Sequence, residues 1–381
     1  MALILCLALG VLSYTAMSGA RLLISLYAIE LGAQPFAVGM LIATLQVVPL
    51  FLSLPVGRLA DRFGTRWLMT AGFTSLVAGM LVMVAAPALA MFFLVSGFNG
   101  VLLGINNVAL QQLAGALSSP ADRARNFSNL ALTGATGNLA GPLLAGVSID
   151  HLGHGGAGLV VLGFALAGAA TLLIWGRLLP GGSGRIAEKS RECRRQPLRE
   201  IWQILLLSAL VQLCTDVFLF YMPVYGRAVG LSATTIGSVM AAFAVAVFLV
   251  RAIMPNLLNR LGEGRLLRYS FYVAGTGFAL APAFTYAWPL AMVSFLIGLG
   301  AGVGQPLTMM MVVARSAAGR SGEMLGLQLT TNGVVRSGGP VLLGIIGSLA
   351  GLGPVFAISA LLMGVGGLVS RRAAAPPPTS G

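Results

Sequence analysis

The sequence predicts an all-α membrane protein with twelve transmembrane helices arranged as two pseudo-symmetric six-helix bundles. Three observations carry that expectation. The 381-residue chain is 57% hydrophobic and only 9% charged, with a mean hydropathy of +0.92, which is more apolar surface than a water-soluble core can hide. Its apolar stretches run for about 20 to 28 residues, the length at which a helix crosses roughly 30 Å of hydrocarbon. The chain also matches itself at one fixed offset. Barrel strands would show ten-residue segments of alternating polarity instead, and the sequence has none.

The twelve stretches are 3–31, 36–56, 67–86, 88–117, 125–149, 155–177, 201–226, 233–257, 267–285, 288–314, 322–350 and 352–370, here called spans 1 to 12. The opening "MALILCLALGVLSYTAMSGA" has the apolar run of a signal peptide but no basic first segment, and its pattern continues to Leu31; it reads as span 1. With the amino terminus inside, 19 of the 23 basic residues fall in cytoplasmic connections, whereas only Arg227 lies beside an outer loop, near Glu30, Asp150, His151 and His154. That asymmetry is the positive-inside rule. The formal charge of +13 therefore reports topology and anionic-lipid contact and excludes a nucleic-acid partner. The expected location is the cytoplasmic (inner) membrane, with both termini cytoplasmic and the two histidines solvated on the outer face. Cys6 and Cys214 lie in apolar spans and Cys193 in a cytoplasmic loop, so no disulfide is expected.

Shifting the chain by 198 residues sets Tyr27 on Tyr225, Gly32 on Gly230, Gly39 on Gly237, Asp61 on Asn259, Arg62 on Arg260 and Gly64 on Gly262. The match continues through Ser96 with Ser294, Gly100 with Gly298, Gly104 with Gly302, and Gly141-Pro142 with Gly339-Pro340. A gap-free register across four helices implies a parallel duplication, since six spans restore the orientation. The expected domains are an N-terminal bundle over 1–179, a cytoplasmic linker over 180–200, a C-terminal bundle over 201–372 and a Pro-rich disordered tail over 373–381.

The stretch "GRLADRFGTR", residues 57–66, places four charges between two spans of an apolar chain. Gly57 and Gly64 allow a tight reversal, and Arg58, Arg62 and Arg66 hold the turn at the anionic inner surface. Asp61 is suited to the positive end of a neighbouring helix. With its two six-span halves, this turn resembles the signature of the major facilitator superfamily, G-x-L-a-D-R-x-G-R-R, at Gly57, Leu59, Asp61, Arg62, Gly64 and Arg66, with Thr65 departing from the usual basic residue. The resemblance implies that Asp61 latches onto the cytoplasmic start of span 11, here Gly319 to Met324, with Arg320 as an added partner. A second likeness, to the span 5 motif of proton-coupled exporters, lies in "GNLAGPLLAG", at Gly137, Gly141, Pro142 and Gly146, with Ala145 departing. Span 11 repeats it at Gly339 and Pro340. Small residues there let helix backbones touch, and the prolines kink their helices.

Polar residues concentrate in spans 1, 4, 5, 7, 10 and 11, and the charge-poor spans 3, 6, 9 and 12 suit lipid. Arg21, Asp216 and Arg336 stand out, because three mid-membrane charges would cost roughly 8 to 10 kcal/mol against hydrocarbon. They must face protein or water. Burial favours the protonated form of Asp216 and an arginine neighbour its ionised form, so Asp216 is expected either to carry protons or to form a structural ion pair with Arg21. Arg336 is expected either to make a positive site for an organic anion or to bond carbonyls near Pro340. Asn99, Asn106, Asn107 and Gln305 complete the expected substrate and proton pathway. In span 4, "SGFNG" keeps only the glycine of the exporters' R-x-x-Q-G pattern, with Asn99 a polar stand-in, a departure that weighs against that route of proton coupling.

The expected function is secondary active transport of a small organic solute by alternating access, with proton-coupled efflux leading and proton-coupled uptake of an organic anion as the alternative. A non-transporting sensor or scaffold would predict a sizeable appended domain, and the longest polar stretch is the linker. There is no H-E-x-x-H pattern and no G-x-x-x-x-G-K-S loop, so the sequence predicts no enzyme, cofactor or metal. Its expected partners are a solute, protons and lipid, with the protein a monomer.

Overall fold

The computed structural model describes residues 2–118, 122–179, 202–315 and 321–373. The linker, Arg320 and the end of the tail lie outside the described residues. So do the surroundings of Gly57 and the side chains of Arg58, Asp61 and Arg62, and with them the expected inner latch. Among the described residues the regular structure is helical: α1 (Ala2–Glu30), α2 (Pro35–Phe63), α3 (Thr65–Ala85), α4 (Leu89–Ala116), α5 (Arg123–Trp175), α6 (Trp202–Ala228), α7 (Ala233–Leu261), α8 (Glu263–Leu280), α9 (Ala287–Arg315), α10 (Ser321–Ala350) and α11 (Leu352–Ala373).

Among the described residues, ten helical stretches are long and apolar enough to cross a membrane. One of them, Asn129–Leu178, has 50 residues, about 75 Å at 1.5 Å per residue and more than twice the hydrocarbon thickness. It is two crossings, spans 5 and 6, joined where Gly153 leaves the helical region at φ 71° and ψ 177°. α8 supplies span 9; Glu263, Arg265 and Arg268 in its opening turns dilute its hydropathy. The remaining helices follow the expected spans in order.

The repeat is written into the backbone. The described residues with positive φ are Gly32, Gly64, Gly153, Gly230, Gly262 and Gly351, and they pair at one offset: 230 − 32, 262 − 64 and 351 − 153 each give 198. Gly64 and Gly262 open α3 and α8 with nearly the same angles, φ 82°, ψ 156° and φ 74°, ψ 161°, a region essentially closed to residues bearing a Cβ. The third pair, Gly153 with Gly351, extends the register beyond what the sequence comparison had marked.

The described residues group into two compact units. One holds the residues up to 179 together with Pro223–Ala241; the other holds 202–222 and the residues from Ala242 onward. In the first unit α1 packs directly on α5. A Cβ at Gly141 would overlap Ser18 Oγ and lie 2.6 Å from the Thr15 carbonyl oxygen, and one at Gly137 would lie 2.7 Å from the Thr15 nitrogen. In the second unit α6 packs on α10, where a Cβ at Gly339 would meet Leu213 at 2.6 Å and the Tyr221 hydroxyl donates to the Pro340 carbonyl. Thr15 and Leu213 are 198 residues apart, as are Gly141 and Gly339, so one helix crossing is built twice.

Candidate transport site

Two polar ladders face each other in the second unit. Ser208, Gln212 and Asp216 fall at i, i+4 and i+8 on α6, and Gln328, Asn332 and Arg336 do the same on α10. Each triplet therefore occupies one face of its helix. The rungs are specific: Ser208 Oγ donates to Asn332 Oδ1 at 3.0 Å, and Gln328 Nε2 donates to Ser208 Oγ at 2.7 Å and Thr308 Oγ1 at 3.3 Å. Arg336 Nε stands 3.6 Å from Asp216 Oδ2. α9 joins through Gln305, whose Nε2 donates to Gln212 Oε1 at 2.6 Å, while Gln212 Nε2 donates to Asp216 Oδ2 at 3.0 Å.

The electrostatics follow from this geometry. Asp216 is 1% exposed, and an ionised carboxylate that deep survives by accepting hydrogen bonds and facing a cation. Gln212 and Arg336 supply both. The amide chain is directional, with each donor pointing towards Asp216. Gln305 is exposed and the Arg336 side chain is 31% exposed, so the carboxylate lies one layer beneath accessible polar groups. Of the sequence-predicted residues, Asp216, Gln305 and Arg336 are thus brought together. Gln212, which links them, was not among the predicted site residues, and neither were Ser208, Gln328 and Asn332; the signal that marks them is the shared four-residue spacing on two helices. The cation the second unit supplies to Asp216 is Arg336.

In the first unit the predicted residues meet around Met17 of α1. Asn99 Nδ2 donates to the Met17 carbonyl at 3.4 Å, and Asn106 Nδ2 approaches Met17 Sδ at 3.9 Å. Both asparagines are 1% exposed, and their Oδ1 atoms have no hydrogen-bond partner among the described residues. Arg21, one turn beyond Met17, lines a small cavity with Ile42, Leu45 and Ser96. Asn107 is half-buried on α4, outside this cluster. Ser18, the register equivalent of Asp216, donates to the Gly137 carbonyl of α5 at 2.7 Å.

A third polar group lies at the Gly153 turn of α5. Asp150 accepts from the Ala233 nitrogen at 3.0 Å and the Thr234 nitrogen at 2.7 Å. Partial burial opposes its ionisation, but hydrogen bonds from Thr234, Ala233 and Ser232 outweigh it and hold the carboxyl below its usual range. His154 departs from the expectation of a solvated side chain. It stacks on Tyr27 at 4.7 Å between ring centres and pairs with Glu30 at 2.8 Å, its side chain 11% exposed, because the turn at Gly153 folds it back onto α1. Burial pushes its imidazole down and Arg227 adds to this; Glu30 and Asp150 push it up, and burial prevails. His151 is exposed.

At the turn between α2 and α3, Arg66 lies over the Trp67 ring at 5.5 Å and packs on Gly176, where a Cβ would fall 2.8 Å from Nε. Gly146 of the span 5 motif and Gly237 bring α5 and α7 into backbone contact: a Cβ at Gly146 would overlap the Ala233 carbonyl oxygen, and one at Gly237 would sit 2.5 Å from that of Pro142.

A doubled repeat of helices long and apolar enough to cross a membrane, with amide and charged ladders buried between them, defines a polytopic integral membrane protein. The Major Facilitator Superfamily model matches residues 6–336 and 204–381, and the chain belongs to that family. It is 26% identical over 293 residues to the tetracycline resistance protein, class G, of Vibrio anguillarum, covering 75% of this chain and 74% of that protein. The fold is shared with a mutant form of the nucleoside transporter NupG, with a TM-score of 0.77 and 13% identity over 98% of this chain and 100% of the other. It is also shared with a POT family transporter in complex with 5-aminolevulinic acid, with a TM-score of 0.82 and 12% identity over 98% and 96%.

Proposed function

We propose that this protein exports a small organic solute from the cytoplasm in exchange for protons, by alternating access between its two repeats in the inner membrane. The observation that carries the reading is the Asp216 carboxylate, buried beneath Gln305 and Arg336 and held by Gln212. A carboxylate balanced between burial and a cation changes its proton occupancy when that cation moves by a few ångströms. A cationic solute that competes for the Asp216 carboxylate cannot bind together with the proton, and mutual exclusion of the two ligands is the condition for exchange. The resemblance to a tetracycline resistance protein supports the outward direction.

One observation favours the alternative of proton-coupled uptake. Protonating Asp216 releases Arg336, whose side chain is 31% exposed, and an organic anion would then bind together with the proton. Purified protein in liposomes, challenged under an imposed pH gradient with organic acids and lipophilic cations, separates these readings. Exchange predicts that cations move against the proton flow and that acidity competes with their binding. Movement of acids with the proton selects uptake, and no gradient-driven movement of either class overturns both.

A further inference from the structure

We infer that Asp150 pins the outer start of α7, and that releasing this pin is the step that opens the outer side of the transporter. The inference rests on the alternating-access reading above. By register, Pro223–Ala241 belongs to the second repeat, since Tyr225, Gly230 and Gly237 match Tyr27, Gly32 and Gly39. Yet the structure groups this hairpin with the first unit, and a specific fastening accounts for that.

The Asp150 carboxylate is divided between two donors: Oδ1 accepts from the Ala233 nitrogen and Oδ2 from the Thr234 nitrogen, at 3.0 and 2.7 Å. These are the first two backbone N–H groups of α7. They have no carbonyl partner within their own helix and form the positive end of its dipole. Asp150 therefore satisfies two orphan donors at once and places a full negative charge on that end. Below the cap, the seam between α5 and α7 is glycine against backbone, at Gly146 with Ala233 and Gly237 with Pro142. Such a seam is held by dispersion and separates without breaking hydrogen bonds. The polar cap is what fixes its end.

The device is charged in one repeat only. At the equivalent positions the first repeat has Pro35 in place of Ala233, which removes one N–H, and the second has Ser348 in place of Asp150. A carboxylate pin on one side of the cycle biases the conformational equilibrium in one direction, because it interacts with one of the two states.

Spin labels on the outer loops test this: Ala86→Cys and Tyr286→Cys, both exposed positions, in full-length protein carrying Cys6→Ala, Cys193→Ala and Cys214→Ala. Distances are measured by pulsed dipolar spectroscopy at fixed pH. Asp150→Asn and Asp150→Ala are expected to raise the population of the longer distance by about twofold or more. Ala233→Pro, which removes a donor at a helix position that accepts proline and leaves the carboxylate in place, is expected to act in the same direction. If all three variants superpose on the parent, while the parent itself exchanges between two distances as the pH is changed, the pin is wrong and alternating access stands. If the parent shows one unchanging distance under all conditions, alternating access fails and the inference falls with it.

Discussion

Ser18 and Asp216 hold the same place in the two repeats, 198 residues apart, and each reaches the fifth helix of its own repeat. Ser18 does so through a neutral hydrogen bond to the Gly137 carbonyl at 2.7 Å, and Asp216 through a charged contact with Arg336 at 3.6 Å. One helix crossing thus exists in an uncharged and a charged version. The charged one gives the transporter a titratable group at mid-membrane depth.

Removing one member of the charged pair costs more than removing both. Arg336→Gln leaves the Asp216 carboxylate buried without the Arg336 charge, and the expected loss is on the order of 2 kcal/mol, because Arg336 is partly exposed. Asp216→Asn together with Arg336→Gln should recover much of that stability. Thermal melts of the two single variants and the double variant in detergent form the cycle that checks this.

The two equivalent packing glycines should respond differently to alanine. At Gly141 the added Cβ meets the backbone of Thr15 and Gly19, which cannot yield, whereas at Gly339 it meets the flexible end of Leu213. Gly141→Ala is expected to cost about 1–3 kcal/mol or to abolish folding, and Gly339→Ala clearly less. Size-exclusion profiles and melting temperatures report both.

Each of Gly64, Gly262, Gly153 and Gly351 is held at positive φ, and alanine at any of them should cost on the order of 1–2 kcal/mol. Gly97, which has open space around it and no positive φ, is the control and should tolerate alanine. A comparable loss at Gly97 would show that the left-handed geometry is not the cause.

Acid should weaken the cluster at the Gly153 turn through His154. Burial holds its imidazole below the usual value in the folded protein, so the unfolded chain binds the proton first. This contribution to stability is complete above about pH 6.5 and is lost as the pH falls below that value. Melting temperatures between about pH 7.5 and about pH 5.5 should drop in the parent and drop less in His154→Gln.

Much of this molecule was legible in the sequence. Apolar length placed the spans, the 198-residue offset placed the duplication, and the cost of charge in hydrocarbon singled out Asp216, Arg336 and Arg21. What the sequence carried less clearly was azimuth. Depth along a helix follows from residue number, but which neighbour a side chain meets depends on how helices rotate and cross. That is why the sequence offered Arg21 as the partner of Asp216 and did not offer Arg336, and why Gln212, one turn from the carboxylate, was not singled out as part of the pathway. The Asp150 cap and the His154 stack were hidden for a related reason: both depend on the turn at Gly153, and on partners 83 and 124 residues away at Ala233 and Glu30.

The central claim is that Asp216 carries the proton that drives transport. It is tested most directly by comparing the parent protein with Asp216→Asn in liposomes, once for solute movement driven by a pH gradient and once for solute exchange without one. The account predicts that the variant loses gradient-driven movement by on the order of tenfold or more while keeping exchange. Equal gradient-driven transport by both proteins would contradict it.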